Sequence, residues 1–115
     1  MRIIAWAWTL IVFVLLWMPP PPPPEHPWWW WDKIVHMVLM ATFAGLWTWA
    51  RVRGRDVLAW GIAVGAITEL GQRLFPWDRH GAWDDFGFDV IGVVLGWGIA
   101  RLVIPRCIGP RPRWW

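Results

Sequence analysis

Four long apolar runs dominate the sequence and limit the folds that it can adopt. They cover residues 3–18, 34–50, 57–75 and 86–104. Each run approaches the roughly 20 residues that an α-helix needs to cross the hydrocarbon core of a bilayer. The first two runs also lack the polar outer face of a helix in a soluble bundle. The sequence therefore predicts an all-α membrane protein, a bundle of four transmembrane helices that forms a single domain over residues 1–115.

The arginines predict which helix ends face the cytoplasm. They gather in the link between the second and third runs and in the basic tail at 105–115. Cytoplasmic ends of membrane helices carry an excess of basic residues, and Arg2 places the N-terminus on the same side. The predicted topology is N-in and C-in. The formal net charge of +3 does not indicate nucleic-acid binding, because the arginines follow the topology and form no single basic face.

The links at 19–33 and 76–85 then face outward. The first begins with six prolines, Pro19 to Pro24, which cannot continue a helix and predict a stiff spacer. Trp28 to Trp31 follow, and tryptophan side chains favour the headgroup layer of a membrane. No small-x-small cleavage site precedes the prolines, so the first run is predicted to be a retained helix and not a signal peptide.

Two pairs of glycines predict close contacts between helices. Gly61 and Gly65 in the third run, and Gly92 and Gly96 in the fourth, are each four residues apart. Small residues at this spacing let two helix backbones approach closely. The sequence leaves open whether these contacts lie within one chain or between the chains of a homo-oligomer.

Polar and ionisable residues stand at the outward ends of three predicted helices and in the link between two of them. They are Asp32, Lys33, His36, Glu69, Gln72, Arg79, Asp85 and Asp89. An isolated ionised carboxylate is costly inside a membrane, so Glu69 and Asp89 are expected to face the bundle, paired with Arg73, Arg79, Lys33 or His36, or else protonated. The pattern predicts a polar pocket open to the outside, or an ion-pair network that only fixes helix register.

The same residues include a donor set that a divalent metal ion could use. His36, Glu69, Asp85 and Asp89 offer imidazole and carboxylate ligands. Lys33 and Arg79 are expected nearby and would compete with a cation, so no metal is predicted. No cofactor is predicted either, and the single cysteine, Cys107, cannot form an internal disulfide.

The order of these residues resembles the VanZ-like family of small bacterial integral membrane proteins, over about residues 28 to 96. Two of the fragments read Asp32-Lys33-x-x-His36 and Glu69-x-x-Gln72. The last family motif is an arginine followed at fixed spacings by a small residue, an aspartate, an asparagine and a glycine; here those positions hold Arg79, Ala82, Asp85, Asp89 and Gly92. Asp89 replaces the usual asparagine, and Ala82 replaces a common serine, so Asp89 adds a negative charge or shares a proton with Glu69.

The resemblance implies a multi-pass protein of the bacterial cytoplasmic membrane. The founding member of the family is associated with low-level resistance to teicoplanin, a lipoglycopeptide. We therefore hypothesise that the outer-leaflet pocket binds or modulates an amphiphilic ligand, either a lipid-linked wall precursor or a lipoglycopeptide. Lys33 and Arg79 would contact its phosphate or carboxylate groups.

Three other functions remain to be weighed. A membrane-embedded enzyme acting on a lipid-linked substrate could use Glu69 or His36 as a general base, but the chain has no serine, so water or a carboxylate would have to attack. The sequence leaves catalysis open and favours binding. A purely structural or accessory membrane subunit is the second alternative. A proton-linked transporter is disfavoured, because the inner halves of the predicted helices carry no ionisable residue before their arginine-containing ends.

Overall fold

The described part of the protein is built from four α-helices. The structure is a computed structural model that describes residues 1–18, 29–74 and 83–108, without the side chains of 29, 30, 83 and 106–108. The helices are α1 (Arg2–Trp17), α2 (Trp29–Trp49), α3 (Gly54–Leu74) and α4 (Trp83–Ile108). No strand occurs among the described residues, which confirms the predicted all-α fold with four helices.

Three helices begin several residues before the apolar runs that predict them. α2 begins at Trp29, α3 at Gly54 and α4 at Trp83, so acidic residues occupy the first turn of each helix: Asp32 in α2, Asp56 in α3, and Asp84 and Asp85 in α4. Negative side chains near a helix N-terminus stabilise it, because the unpaired backbone N–H groups there carry partial positive charge. The acidic residues before the apolar runs are therefore helical and are held in fixed positions.

α2 and α4 run side by side in the same direction. Gly92 lies against the backbone of Met37, and Gly96 lies against the backbone of Ala41. A Cβ atom at either glycine would overlap the carbonyl oxygen of its neighbour. The absence of a side chain at these two positions is thus what lets α4 approach α2 so closely.

α3 packs against α4 in the opposite direction. Gly61 lies against the side chain of Val93, and Gly65 lies against Asp89, where an added Cβ would stand 3.2 Å from the Asp89 Cβ. Both glycine pairs in the sequence therefore face other helices of the same chain. The contact at Gly65 also brings the next turn of α3, which carries Glu69, close to the start of α4.

α1 is held against α2 and α3 by tryptophan and amide side chains. The indole N–H of Trp47 donates a hydrogen bond to Thr9 Oγ1 at 3.1 Å, and the Trp47 ring packs edge-on against Trp6 with ring centres 5.0 Å apart. Near the other end of α1, the Gln72 side chain of α3 donates to the carbonyl oxygen of Leu16. Successive helices therefore alternate in direction, and the end of α1, the start of α2, the end of α3 and the start of α4 lie together.

The core is apolar, but much of the outer surface is apolar as well. Buried side chains of the core come from all four helices: Val12, Leu16, Leu39, Met40, Phe43, Ala44, Val57, Val64 and Val93. On the outside, Ile3 of α1 is 85% exposed and Leu102 of α4 is 64% exposed, and Val38 of α2 and Trp60 of α3 are also exposed. Exposed apolar side chains on every helix are typical of a surface that meets lipid or another protein.

One helix among the described residues is long and apolar enough to be a candidate membrane span. It covers Asp84–Pro105, 22 residues, and reaches a mean hydropathy of 1.8. Arg2–Trp17 is apolar but shorter. The predicted span in α4 thus has direct support from length and hydropathy, and the four-span arrangement and its orientation stay predictions.

Candidate functional site

Polar side chains from α2, α3 and α4 meet at one end of the bundle, which we call the polar end. Its members are Asp32, Lys33, His36, Glu69, Gln72, Asp84, Asp85 and Asp89. The most buried ionisable members are His36 and Asp89, each 1% exposed, and Glu69, 5% exposed. These three side chains, which we call the buried triad, come from three different helices.

His36 and Asp89 form the most deeply buried contact of the polar end. His36 Nδ1 lies 3.1 Å from Asp89 Oδ1, and on the other side of the ring Nε2 lies 3.7 Å from Asp32 Oδ2. The i, i+4 spacing places Asp32 and His36 on the same face of α2, and the parallel packing of α2 and α4 brings Asp89 to the opposite side of the imidazole. The ring is therefore placed between two carboxyl groups.

Lys33 links the start of α2 to the start of α4. Its Nζ donates a hydrogen bond to Asp85 Oδ1 at 3.1 Å and lies 3.7 Å from Asp84 Oδ2. Burial alone would lower the pKa of Lys33, but the hydrogen bond and the charges of Asp85, Asp84 and Asp32 raise that pKa above its ordinary value. The lysine therefore remains charged, and its ammonium group neutralises carboxylates of α4.

Glu69 is buried without a hydrogen-bond partner among the described residues. Neither of its carboxyl oxygens makes a hydrogen bond there, and the second oxygen of Asp89, Oδ2, makes none either. Burying a carboxyl group that has no hydrogen-bond partner costs several kcal/mol of folding free energy when the group is ionised, or about 1–3 kcal/mol when it is neutral. A proton, a residue outside the described part, or a bound cation must offset this cost.

Gln72 has a different role from the buried triad in this structure. Its Nε2 donates a hydrogen bond to the carbonyl oxygen of Leu16 at 2.7 Å. Leu16 is in the last turn of α1, where carbonyl groups have no partner within the helix. Gln72 therefore satisfies one of these carbonyls and fixes the end of α1 to α3.

Several residues named from the sequence lie outside the described residues or have undescribed side chains. Arg79 and Ala82, the start of the third motif, are among them, as are Pro19 to Pro24 and Trp28. Trp31 is described, and 57% of its surface is exposed. The predicted contacts of Arg79 with carboxylates or with a ligand therefore stay predictions.

Two contacts at the polar end did not come from the sequence motifs. Asp84 lies beside Lys33, and the Lys33 ammonium group stands 5.9 Å from the centre of the Phe88 ring. Neighbouring residues on a helix point in different directions, so helical spacing does not predict that one lysine contacts both Asp84 and Asp85. The sequence signal for these contacts is the spacing of four residues between Asp84 and Phe88, which puts both on one face of α4, where one side chain of α2 can reach both.

The charges at the polar end favour cations and hydrogen-bond donors over bare anions. Its members include five carboxyl groups, on Asp32, Glu69, Asp84, Asp85 and Asp89, and one lysine. Arg73, in the last turn of α3, adds a second positive charge near Glu69. Two groups of side chains could also hold a metal ion, because their ligand atoms lie within 4.8 Å of one another. One group is the buried triad, and the other is Asp32, His36 and Asp85.

A separate apolar cavity of about 240 Å³ lies between α1, α2 and α3. It is lined by Trp6, Thr9, Phe13, Phe43, Trp47, Val52, Val57, Trp60, Val64 and Ile67. It shares no lining residue with the polar end. The chain thus offers two distinct environments, one suited to apolar groups and one suited to polar groups.

The sequence matches a model of a known protein family. A family model described as VanZ/LLP1 matches residues 2–104, which include all four helices except the last residues of α4, and every residue of the polar end. No curated protein and no solved structure matches the chain.

Proposed function

The chain belongs to the VanZ/LLP1 family. On that premise we propose that it is a four-span protein of the bacterial cytoplasmic membrane and that its polar end binds an amphiphilic ligand at the outer leaflet. Proteins of this family are generally membrane-associated. The ligand is a lipid-linked wall precursor or a lipoglycopeptide, and the biological effect is protection against teicoplanin. Both chain termini are in the cytoplasm.

The distribution of apolar and charged side chains supports the membrane arrangement. Exposed apolar residues occur on all four helices, and the helices alternate in direction. The end of the bundle opposite the polar end carries basic residues: Arg51, Arg53, Arg55 and Arg101. Basic residues flank membrane helices on the cytoplasmic side, so this end faces inward and the polar end faces outward.

Reporter fusions test this orientation. A reporter that is active only in the cytoplasm is expected to be active when fused after Cys107 and inactive when inserted within Pro19 to Pro24. A reporter active only outside the cytoplasm should give the opposite pattern. An external C-terminus in a stably expressed fusion would contradict the proposed position of the polar end.

The observation that carries the binding proposal is the gradient of burial at the polar end. The buried triad is enclosed, whereas the side chains of Asp32 and Asp84 are 58% and 75% exposed at its rim. Rim carboxylates can accept hydrogen bonds from hydroxyl or amino groups of a sugar-containing headgroup. Lys33 and Arg79 would contact its anionic groups, and the exposed Trp31 would lie beside it in the headgroup layer.

The threonine hydroxyls favour binding over catalysis by a hydroxyl nucleophile. The chain has no serine, and each of its four threonines donates to a carbonyl three or four residues earlier in its own helix. A hydroxyl that donates its proton to a backbone carbonyl is not donating to a base that could activate it. An enzyme built on this site would have to use water or a carboxylate.

The function is tested by drug susceptibility in a sensitive Gram-positive host. Expression of the chain is expected to protect selectively against teicoplanin and not vancomycin. Glu69→Gln and Arg79→Ala, matched for membrane abundance, are expected to lose this protection, because they alter the polar end. Arg55→Gln is the matched control, because Arg55 is exposed at the opposite end of the bundle.

The outcomes separate the proposal from its alternatives. Protection that survives in both variants of the polar end would show that the polar end does not mediate it. A well-expressed wild type without any protection would contradict the glycopeptide role. Loss of protection in Arg55→Gln as well would point to a general effect of folding or membrane insertion.

A further inference from the structure

The buried triad has the arrangement of a metal-binding site. His36, Glu69 and Asp89 each present a ligand atom to one small volume, and these atoms lie within 4.8 Å of one another. The three side chains come from α2, α3 and α4, and each is at least nine-tenths buried. One imidazole and two carboxylates are ligands that divalent ions such as Zn²⁺ and Mn²⁺ accept.

The unpartnered oxygens are the independent sign that something occupies this volume. Three buried carboxyl oxygens, both of Glu69 and Oδ2 of Asp89, make no hydrogen bond to any described residue. Two carboxylates held together at this depth repel each other and are deprived of water. A divalent cation would balance both charges and give these oxygens the ligand contacts that they lack.

We propose that His36, Glu69 and Asp89 bind one divalent metal ion of the zinc and manganese class. Ligand atoms bound to one ion at about 2.0–2.1 Å lie roughly 3.0–3.4 Å apart. The distance of 3.1 Å between His36 Nδ1 and Asp89 Oδ1 is compatible with this value, and it is also that of a hydrogen bond in the metal-free site. Nε2 lies 3.7 Å from the Asp32 carboxylate, which is beyond hydrogen-bond distance, and makes no hydrogen bond to any described residue.

The position of Lys33 removes one objection to a cation. From the sequence, Lys33 and Arg79 were expected to compete with a metal for the carboxylates, and Arg79 lies outside the described residues. In the structure its ammonium group is engaged by Asp85 and Asp84, on the outer turn of α4. With three protein ligands, the ion keeps at least one coordination position for oxygen, either from water or from a headgroup.

This inference goes beyond the proposed function, because metal binding needs no amphiphile. The full chain, purified in detergent through a tag that contains no histidine, is stripped with a chelator and reloaded separately with Zn²⁺, Mn²⁺ and Co²⁺. We expect about one bound ion per chain after desalting, with Co²⁺ giving the visible absorption of a site with nitrogen and oxygen ligands. The thermal unfolding midpoint is expected to rise with metal concentration.

Isosteric variants identify the ligands. Glu69→Gln and Asp89→Asn keep the size of each side chain and remove its charge. Each is expected to weaken the affinity for the metal ion by about tenfold to hundredfold. Asp84→Asn, at the exposed rim, is the control and is expected to retain the ion. A folded wild type that retains far less than one ion per chain, or equal affinity in wild type and both triad variants, would overturn the proposal. If Glu69→Gln fails to fold, Asp89→Asn and His36→Gln carry the test.

Discussion

Replacing His36 with leucine is expected to destabilise the folded protein by about 3–5 kcal/mol when unfolding is measured in detergent with a chelator present. The substitution keeps most of the side-chain volume and removes the group that faces Asp89 Oδ1 at 3.1 Å. Asp89 is 1% exposed, so water cannot replace the lost contact without a change in packing. The buried carboxylate would be left without its closest partner.

The double variant separates the cost of a stranded charge from the loss of packing. His36→Leu with Asp89→Leu removes both polar groups and is expected to be more stable than His36→Leu alone, because no ionised group is then stranded beside α2. Asp89→Leu alone leaves the neutral His36 ring without this partner, which is expected to destabilise the folded protein by about 1–3 kcal/mol. If the double variant is destabilised by the sum of the two single costs, His36 and Asp89 do not act as a pair.

The number and order of the helices could be read from the sequence because burial in an all-helical fold requires long apolar segments. The four runs mark α1 to α4. Their ends were harder to place, because α2 begins at Trp29, before its apolar run, and includes Asp32 and Lys33. Hydropathy cannot show this, since the helix continues through polar residues that suit its N-terminus.

The partners within the polar end could not be read in the same way. Spacing along one helix places Asp32 beside His36, and Asp85 beside Asp89. It does not show that α2 and α4 pack so closely that Lys33 meets Asp85, or that Gln72 donates to the end of α1. The contact of Lys33 with Asp85 depends on the close approach of α2 and α4, which Gly92 and Gly96 permit. The contact of Gln72 depends on the packing of α3 against α1, where Gly71 lies against Trp17.

Gly96→Ala is expected to destabilise the protein by about 1–3 kcal/mol, whereas Gly98→Ala is expected to be neutral or to stabilise it by up to about 1 kcal/mol. Both substitutions add one methyl group to α4, and alanine favours a helix over glycine at each position. At Gly96 the new Cβ would overlap the carbonyl group of Ala41, which belongs to the α2 backbone and cannot rotate away. At Gly98 no atom lies within 4 Å of the added Cβ among the residues that the structure describes.

The comparison of these two variants also decides how the glycine pair of α4 is used. If Gly92 and Gly96 serve contacts within the chain, Gly96→Ala lowers the unfolding midpoint of the monomer in detergent and pushes α4 away from α2. Asp89 lies about two turns before Gly96 in α4, and His36 lies between one and two turns before Ala41 in α2, so metal binding by the buried triad should weaken as well. If the pair instead serves a homo-oligomer, Gly96→Ala changes the oligomeric state and leaves the stability of the monomer unchanged, and the close packing of α2 on α4 would be wrong.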